Sequence, residues 1–380
     1  MIPDILPSKI REMHGLAGPH SVNLGLGQPV VGTPEILERL VRKAVSEDDL
    51  GYTSYAGIPD LRRAVARETC GPEGTEAHVS ITVGTTEAFF ATLLTLLEPG
   101  DEVLVPDPGF LLYQAVTRIL GGTTVYYPAY AANGFRLQVD DIEARLTDRT
   151  KLVVINSPNN PTGQIIPEDA LDRLGRLADQ HDFYLLSDEV YRTLTYDTTA
   201  PSAWGRGDRV LVLNGASKMF AMTGWRLGWI IGRPEVIDRI NITHHYMVAC
   251  APAIAQRVLQ RLYADGGKLA HHLRSGLQAE FAARRELLIA EIRKQLGWEY
   301  VEPAGALYLM LRIPDEITAS GDSEWVAKDM VREQDVITIP GNAFGSQGEG
   351  YLRLSFAVTG ETIREGIRRI KNYAEHRIPV

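Results

Sequence analysis

The sequence has only two cysteines, Cys70 and Cys250, far apart and in no CxxC pair. That excludes a disulfide scaffold or a zinc ribbon. No apolar run approaches the roughly 18 residues of a membrane-spanning helix, so none is expected. The amino terminus, MIPDILPSK, carries prolines and Asp4 where a signal peptide needs an apolar core. A reducing, cytoplasmic setting is the resulting expectation. Positive charge is not in excess: 39 Lys and Arg face 48 Asp and Glu, for a net −9. A nucleic-acid binder working through a general basic field is disfavoured. There is no GxxxxGK[ST] loop, and Gly25-Leu26-Gly27 fails the GxGxxG pattern because Val30 stands at the third glycine. A nucleotide-binding Rossmann reading therefore lacks its fingerprint. What remains is a globular composition, 44% hydrophobic and 23% charged. At about 150 residues per domain, the length suits two or three domains.

The middle of the chain alternates β-rich and helical runs. ITVG (81–84), EVLVPD (102–107), KLVVIN (151–156), FYLLSD (183–188), RVLVLN (209–214) and WRLGWIIG (225–232) read as strands. TEAFFATLLTLLE (86–98) and residues 167–180 read as helices. The strands are continuously apolar rather than alternating, as for strands buried on both faces. Strand–helix–strand in series implies right-handed crossovers and an α/β fold with a mostly parallel sheet. From about residue 264 a long helix follows, then short strands at 306–313, 336–340 and 351–357 and a last helix. This predicts a smaller α+β domain. The expected division is residues 41–280 as the large domain and 281–380 as the small one, with residues 1–40 packing on the latter.

Ligands in open α/β sheets sit at the carboxyl ends of strands. The polar turns there are GTTE, DPGF, NSPNNPTG, DEVY and NGASK. Lys218 follows a buried strand with no acidic neighbour; it is either a solvated surface lysine or an amine able to form an imine. Asp188 ends a buried strand, where a carboxylate needs a cation, a helix cap or an ion pair. Gly84, Thr85 and Thr86 sit between strand and helix, where they either cap the helix or hold a phosphate at its positive end. Asn160 lies in a turn and can aim an amide at a ligand. Arg226 and Arg353 sit within or beside apolar strands, with either an anionic ligand or a cross-strand ion pair as partner. The adjacent pairs His244–His245 and His271–His272 point apart, and Ser217–Lys218 lacks the SxxK spacing.

Together, GTTEA, NSPNNPTG, SDEVY, SKMFAMTGWRLG, PAGALYLML, PGNAFG and YLRLSFA resemble the class I/II aminotransferases of the aspartate aminotransferase superfamily, pyridoxal-phosphate enzymes of fold type I. The resemblance covers nearly the whole chain. It implies a mostly parallel seven-stranded sheet sandwiched by helices. It also implies transfer of an amino group from an L-amino acid to a 2-oxo acid through a lysine Schiff base and a pyridoxamine intermediate. Lys218 is implied as the Schiff-base lysine and proton shuttle, and Asp188 as the partner of the pyridinium nitrogen. Tyr191 and Asn160 would bond the phenolic oxygen, and Phe110 would stack on the ring. Gly84, Thr85, Thr86, Ser217 and Arg226 would surround the phosphate. Tyr52 would reach the phosphate of the other subunit in a homodimer with shared sites. Arg353 would clamp the substrate α-carboxylate, with Asn160 and Gly27 beside it. Two departures stand out: Gly215 replaces a phosphate-binding serine three residues before the lysine, and Phe110 replaces the Trp or Tyr of several relatives. Elimination, C–S cleavage or cyclisation on the same scaffold would share every motif. A pyridoxal-binding regulator would need a DNA-binding domain ahead of GLGQP, where the chain has only a short segment.

One expectation concerns the amino donor. The turns GLGQPV, YTSYAG, GTTEA, DPGFLLY and DEVY offer Tyr52, Tyr55, Phe110, Tyr113 and Tyr191 but no Lys or Arg. A neutral donor, aromatic or otherwise apolar, is expected over aspartate, unless Arg11, His14 or His20 supplies a cation.

Overall fold

The computed structural model describes residues 8–377. After an amino-terminal helix, Lys9–Gly15, comes a two-residue strand, β1 (Val22–Asn23). Seven strands then form one sheet: β2 (Val79–Thr82), β3 (Glu102–Asp107), β4 (Thr123–Pro128), β5 (Thr150–Asn156), β6 (Tyr184–Asp188), β7 (Val210–Gly215) and β8 (Gly228–Ile231). Their order is β2-β8-β7-β6-β5-β3-β4. Pairings from β4 across to β7 are parallel, and β8 runs antiparallel to both β7 and β2. The reversal at β8 has a local cause. The link from β7 holds only the short helix Ala216–Met219 and the turn Thr223–Trp225, with no crossover helix to carry the chain back.

β3, β7 and β8 are buried at every residue, as their unbroken apolar sequences require. Helices cover both faces. Helix Glu168–His181 presents Leu171, Leu174 and Leu177 to one core at helical spacing. Helix Gly84–Leu96 presents Ala88, Phe89 and Leu93 to the other, beside Ile237 and Ile240 of helix Pro234–Val248. β4 escapes the sequence reading because it is an edge strand, exposed at Thr123 and fully buried only at Tyr127 and Pro128.

Beyond helix Lys268–Gln295 lie β9 (Tyr300–Val301), β10 (Tyr308–Arg312), β11 (Val336–Ile337), β12 (Ile339–Pro340) and β13 (Tyr351–Ser355). An antiparallel sheet orders these as β12-β13-β10-β9. β11 is absent from it and pairs in parallel with β1 instead. The run VITIP, expected as one strand, therefore divides at Thr338, because its two halves have different partners. Val22 and Leu24 donate to Asp335 and Ile337, which draws the first half away.

The long helix has 28 residues, about 42 Å of rise. Ala270 belongs to the large-sheet core, Leu277, Phe281 and Leu288 belong to the second core, and Leu273 touches both. Met13 and Leu24 also join the second core, whereas Leu37 and Leu40 join the first. The amino-terminal segment thus changes sides where Pro34 opens helix Glu35–Glu47, ahead of the expected residue 40.

The two units are also tied at the end of β3. Asp107 accepts from Ser346 N and Oγ at 3.1 and 2.8 Å and from Gln347 N at 2.9 Å. Gly345, at φ +133°, lets this loop approach, since a Cβ there would fall 2.1 Å from Asp107 Oδ1. Asp107→Ala is expected to lose about 2–3 kcal/mol by stranding these donors, and Asp107→Asn less than half as much. Chemical denaturation of the two variants against the parent checks the ranking.

Candidate active site

The carboxyl ends of the parallel strands open into a cavity of about 280 Å³. Thr85 and Thr86 line it from the turn after β2, Phe110 from the turn after β3, and Asn160 from the turn after β5. Asp188 and Tyr191 enter from the end of β6, Ser217 and Lys218 from the end of β7. The second unit contributes Tyr308 and Arg353, and the amino-terminal helix contributes Ile10.

Lys218 is no surface lysine. Its Nζ donates to Gly27 O at 2.7 Å. Burial lowers its pKa, and the positive charges of Arg353 and Arg226 act in the same direction. Gly27 thus meets the cavity through a carbonyl already engaged by the amine.

Asp188 is buried and, among the described residues, makes no ion pair. Its Oδ2 accepts from Tyr113 Oη at 2.7 Å, and its Oδ1 from Val190 N at 3.3 Å. Burial still raises its pKa to about 6 against those bonds. The carboxylate has hydrogen bonds but no cation. Tyr113 meets Phe110 edge-on, with ring centroids 5.9 Å apart, so one aromatic pair joins the turn after β3 to this carboxylate.

Arg353 is 2% exposed. Across the strands it faces Met310 and Ile339, which removes the cross-strand ion pair as its partner. Its Nη1 donates to Asn160 Oδ1 at 3.0 Å and its Nη2 to Gly25 O at 2.7 Å. The guanidinium lies between Tyr308 and Phe344, 4.2 and 4.8 Å from their centroids. Its Nε is buried with no partner among the described residues. Tyr191 and Tyr308 share a hydroxyl hydrogen bond of 2.8 Å.

The helix Gly84–Leu96 ends at the cavity with its first N–H groups free of intrahelical partners. Backbone closeness builds this corner. A Cβ on Gly228 would lie 2.6 Å from Gly84 C and Thr85 N, and one on Gly84 (φ +77°) 2.5 Å from Arg226 Nη2. Arg226 is in no strand, contrary to its sequence reading, because β8 begins only at Gly228. It ends the turn Thr223–Trp225 at φ 53° and donates to Thr223 O at 2.9 Å. Gly215 is explained in the same way: a Cβ would meet Gly228 Cα and Leu227 O at 3.0 Å and Thr85 Cγ2 at 3.4 Å. A serine there has little room. Of the residues expected at the cofactor, Gly84 is absent from the cavity lining, lying just behind Thr85 against Arg226, and Tyr52 stays outside, 93% exposed.

The family described as aminotransferase class I and II matches residues 19–370. The chain belongs to that family. The aminotransferase is 34% identical to an aromatic-amino-acid aminotransferase 2 of Thermococcus litoralis, over 96% of this chain and 95% of the relative. It is 34% identical to an aspartate aminotransferase of Pyrococcus abyssi, with the same coverage. Among solved structures, the aromatic aminotransferase from Pyrococcus horikoshii superposes with a TM-score of 0.88 at 30% identity, covering 97% of this chain and 99% of that one. The aspartate aminotransferase from Thermus thermophilus with maleate gives 0.88 at 32% identity, covering 97% of each chain. The aminotransferase is thus an enzyme that transfers amino groups on a fold of type I.

The sequence reading gave Tyr113 no role toward Asp188 and Tyr308 no role at all. Tyr113 was legible only as an aromatic beside Phe110, and Tyr308 only as a letter of PAGALYLML. Neither carries a signal by itself, because each acts through a hydroxyl partner remote in the chain.

Asp188 yields a stability prediction for the cofactor-free protein. Its folded pKa, about 6, lies above the ordinary 3.8. The carboxyl is therefore tolerated fully only below pH 4, and stability is lost as pH rises through 6. Above that, the penalty is on the order of 3 kcal/mol. Asp188→Asn should melt higher than the parent at pH 8 and equally at pH 4, as read by thermal unfolding at both pH values.

Proposed function

We propose that the cavity holds pyridoxal 5′-phosphate and that the enzyme moves the amino group of an L-amino acid to a 2-oxo acid. The observation that carries this reading is a buried amine with a lowered pKa, Lys218, in one cavity with a buried carboxylate that lacks a cation, Asp188. A protonated pyridine nitrogen supplies that cation. The remaining corner suits a phosphate: a glycine cradle, helix N–H groups, the hydroxyls of Thr85, Thr86 and Ser217, and Arg226.

When bound, this cofactor supplies a carbonyl that condenses with amines and a protonated ring that accepts the electron pair left when Cα loses its proton. Lys218 Nζ would hold it covalently, and the same amine, when free, would take the proton from Cα, a task its lowered pKa favours near neutral pH. Asp188 would keep a ring nitrogen protonated, with Tyr113 steadying the carboxylate. Tyr191, Asn160 and Phe110 would hold the ring. The Arg353 guanidinium would bind the substrate α-carboxylate, with the Gly27 backbone beside it. Borohydride reduction of the loaded enzyme followed by peptide mapping should label Lys218; label on another lysine would overturn the assignment.

A homodimer with shared sites belongs to the same proposal. Tyr52, Tyr55 at its side, and Ile242 and Tyr246 on helix Pro234–Val248 are all exposed, Tyr246 by 84%. Tyr55 and His245 bring the two segments together, with ring centroids 5.5 Å apart. Aromatics gathered on one face mark a protein interface. Tyr52 would then serve the partner's phosphate corner. Mixing a Tyr52→Ala variant with a Lys218→Ala variant should restore part of the activity that each lacks, because one hybrid site is intact. No recovery despite subunit exchange would count against sharing. A cytoplasmic setting is supported by the two unpaired cysteines.

A further inference from the structure

We infer that the site takes an amino donor with an apolar side chain in preference to a dicarboxylate, and that Ile10 sets this preference. The inference rests on the amino-transfer reading above and adds the substrate class to it.

The relatives are named for both aspartate and aromatic donors, so the choice has to come from this chain's own residues. A dicarboxylate presents two carboxylates. Among the described residues, the cavity lining holds three cationic side chains, Lys218, Arg226 and Arg353. Lys218 is the covalent anchor, and Arg226 lies against the phosphate corner at Gly84. Arg353 gives one N–H of each Nη to Asn160 and Gly25 and carries a single positive charge. That one charge serves one carboxylate, and among the described residues of the same subunit no lining cation is left for a second.

The amino-terminal helix is the element expected to bring a further cation, and its ionisable side chains face elsewhere. Lys9 pairs with Glu324 at 2.6 Å, and Glu12 with Lys328 at 2.7 Å. Met13 is buried in the second core. These three contacts fasten the helix to the small unit. Arg11 is exposed and outside the cavity lining. The ring of His14 bonds the Asn23 amide at 3.0 Å. Burial lowers its pKa, and the neighbouring Arg353 charge adds to that, so this imidazole is neutral at pH 7. Residues 1–7 include no Lys or Arg.

What this helix does present to the cavity is Ile10, with Leu112, Phe110 and Val190 also in the lining. A second carboxylate enclosed among them would be desolvated without a partner. An apolar side chain would instead bury its surface favourably.

Two measurements on the loaded enzyme test the inference. The first is kcat/KM for leucine, methionine and phenylalanine against aspartate, with one common 2-oxo acid acceptor. The apolar donors are expected to lead by at least tenfold. Aspartate equal or ahead overturns the inference and leaves amino transfer standing. No transfer from any amino acid overturns the proposed function instead. The second measurement needs no turnover: calorimetric dissociation constants for 4-methylpentanoate, 3-phenylpropionate and succinate. The monocarboxylates are expected to bind at least tenfold tighter, and tighter succinate overturns the inference independently. Ile10→Arg should raise the aspartate-to-leucine kcat/KM ratio at least tenfold. Ile10→Gln should lower leucine turnover without helping aspartate. An unchanged ratio in Ile10→Arg would remove Ile10 from its assigned role.

Discussion

Asp188 ionises at a cost that the protein by itself does not recover. Tyr113 and the Val190 N–H donate to its two oxygens, yet burial still holds its pKa near 6. A fold that keeps a carboxylate in this condition has a place reserved for a cation. The arrangement around Asp188 follows from that reservation. β6 is central in the sheet, and Asp188 at its end is buried, 7% exposed, at the floor of the cavity. The lysine that would compensate it locally, Lys218, instead donates to Gly27 O and stays available as an amine. Acid and amine are thus kept apart within one cavity, each poised by burial in opposite directions: the carboxyl toward protonation, the amine toward its neutral form.

The opposite end of the cavity depends on the absence of side chains. Gly215 on β7, Gly228 on β8 and Gly84 at the helix end meet backbone to backbone. Their approach draws a helix amino terminus onto the sheet and seats Arg226 over it. The same closeness accounts for the replacement of serine by Gly215. A hydroxyl at that position would compete for the space through which Thr85 approaches, so in the proposed phosphate corner the helix end and Arg226 would carry more of the anion binding.

Much of this was legible in the sequence because burial leaves an unmistakable trace. Unbroken apolar runs ending in Asn156, Asp188 and Gly215 declare central strands and the turns that follow them. The edge strand β4 left no such trace, since only two of its six residues are fully buried. VITIP read as one strand because nothing local reports that β1, more than 300 residues away in the chain, would claim its first half. Arg226 read as a strand residue because the apolar letters around it hide a left-handed turn. Tyr113 and Tyr308 stayed anonymous for a related reason: a tyrosine in an apolar stretch looks like core until the partner of its hydroxyl is known.

The chain divides its two tasks between different kinds of structure. The groups facing the proposed cofactor come from consecutive turns along one edge of a rigid sheet, so their spacing is set by strand pairing. The groups that would face the substrate come from residue 10, the turns after β3 and β6, β10 and β13, brought together by packing between two units. Asp107 and Gly345 fasten those units beside Phe344, and Phe344 in turn supports Arg353. A change in the amino-terminal helix can therefore alter which side chain is accepted without disturbing Lys218 or Asp188. That separation gives a physical reason why relatives about equally similar to this chain carry names for different amino donors.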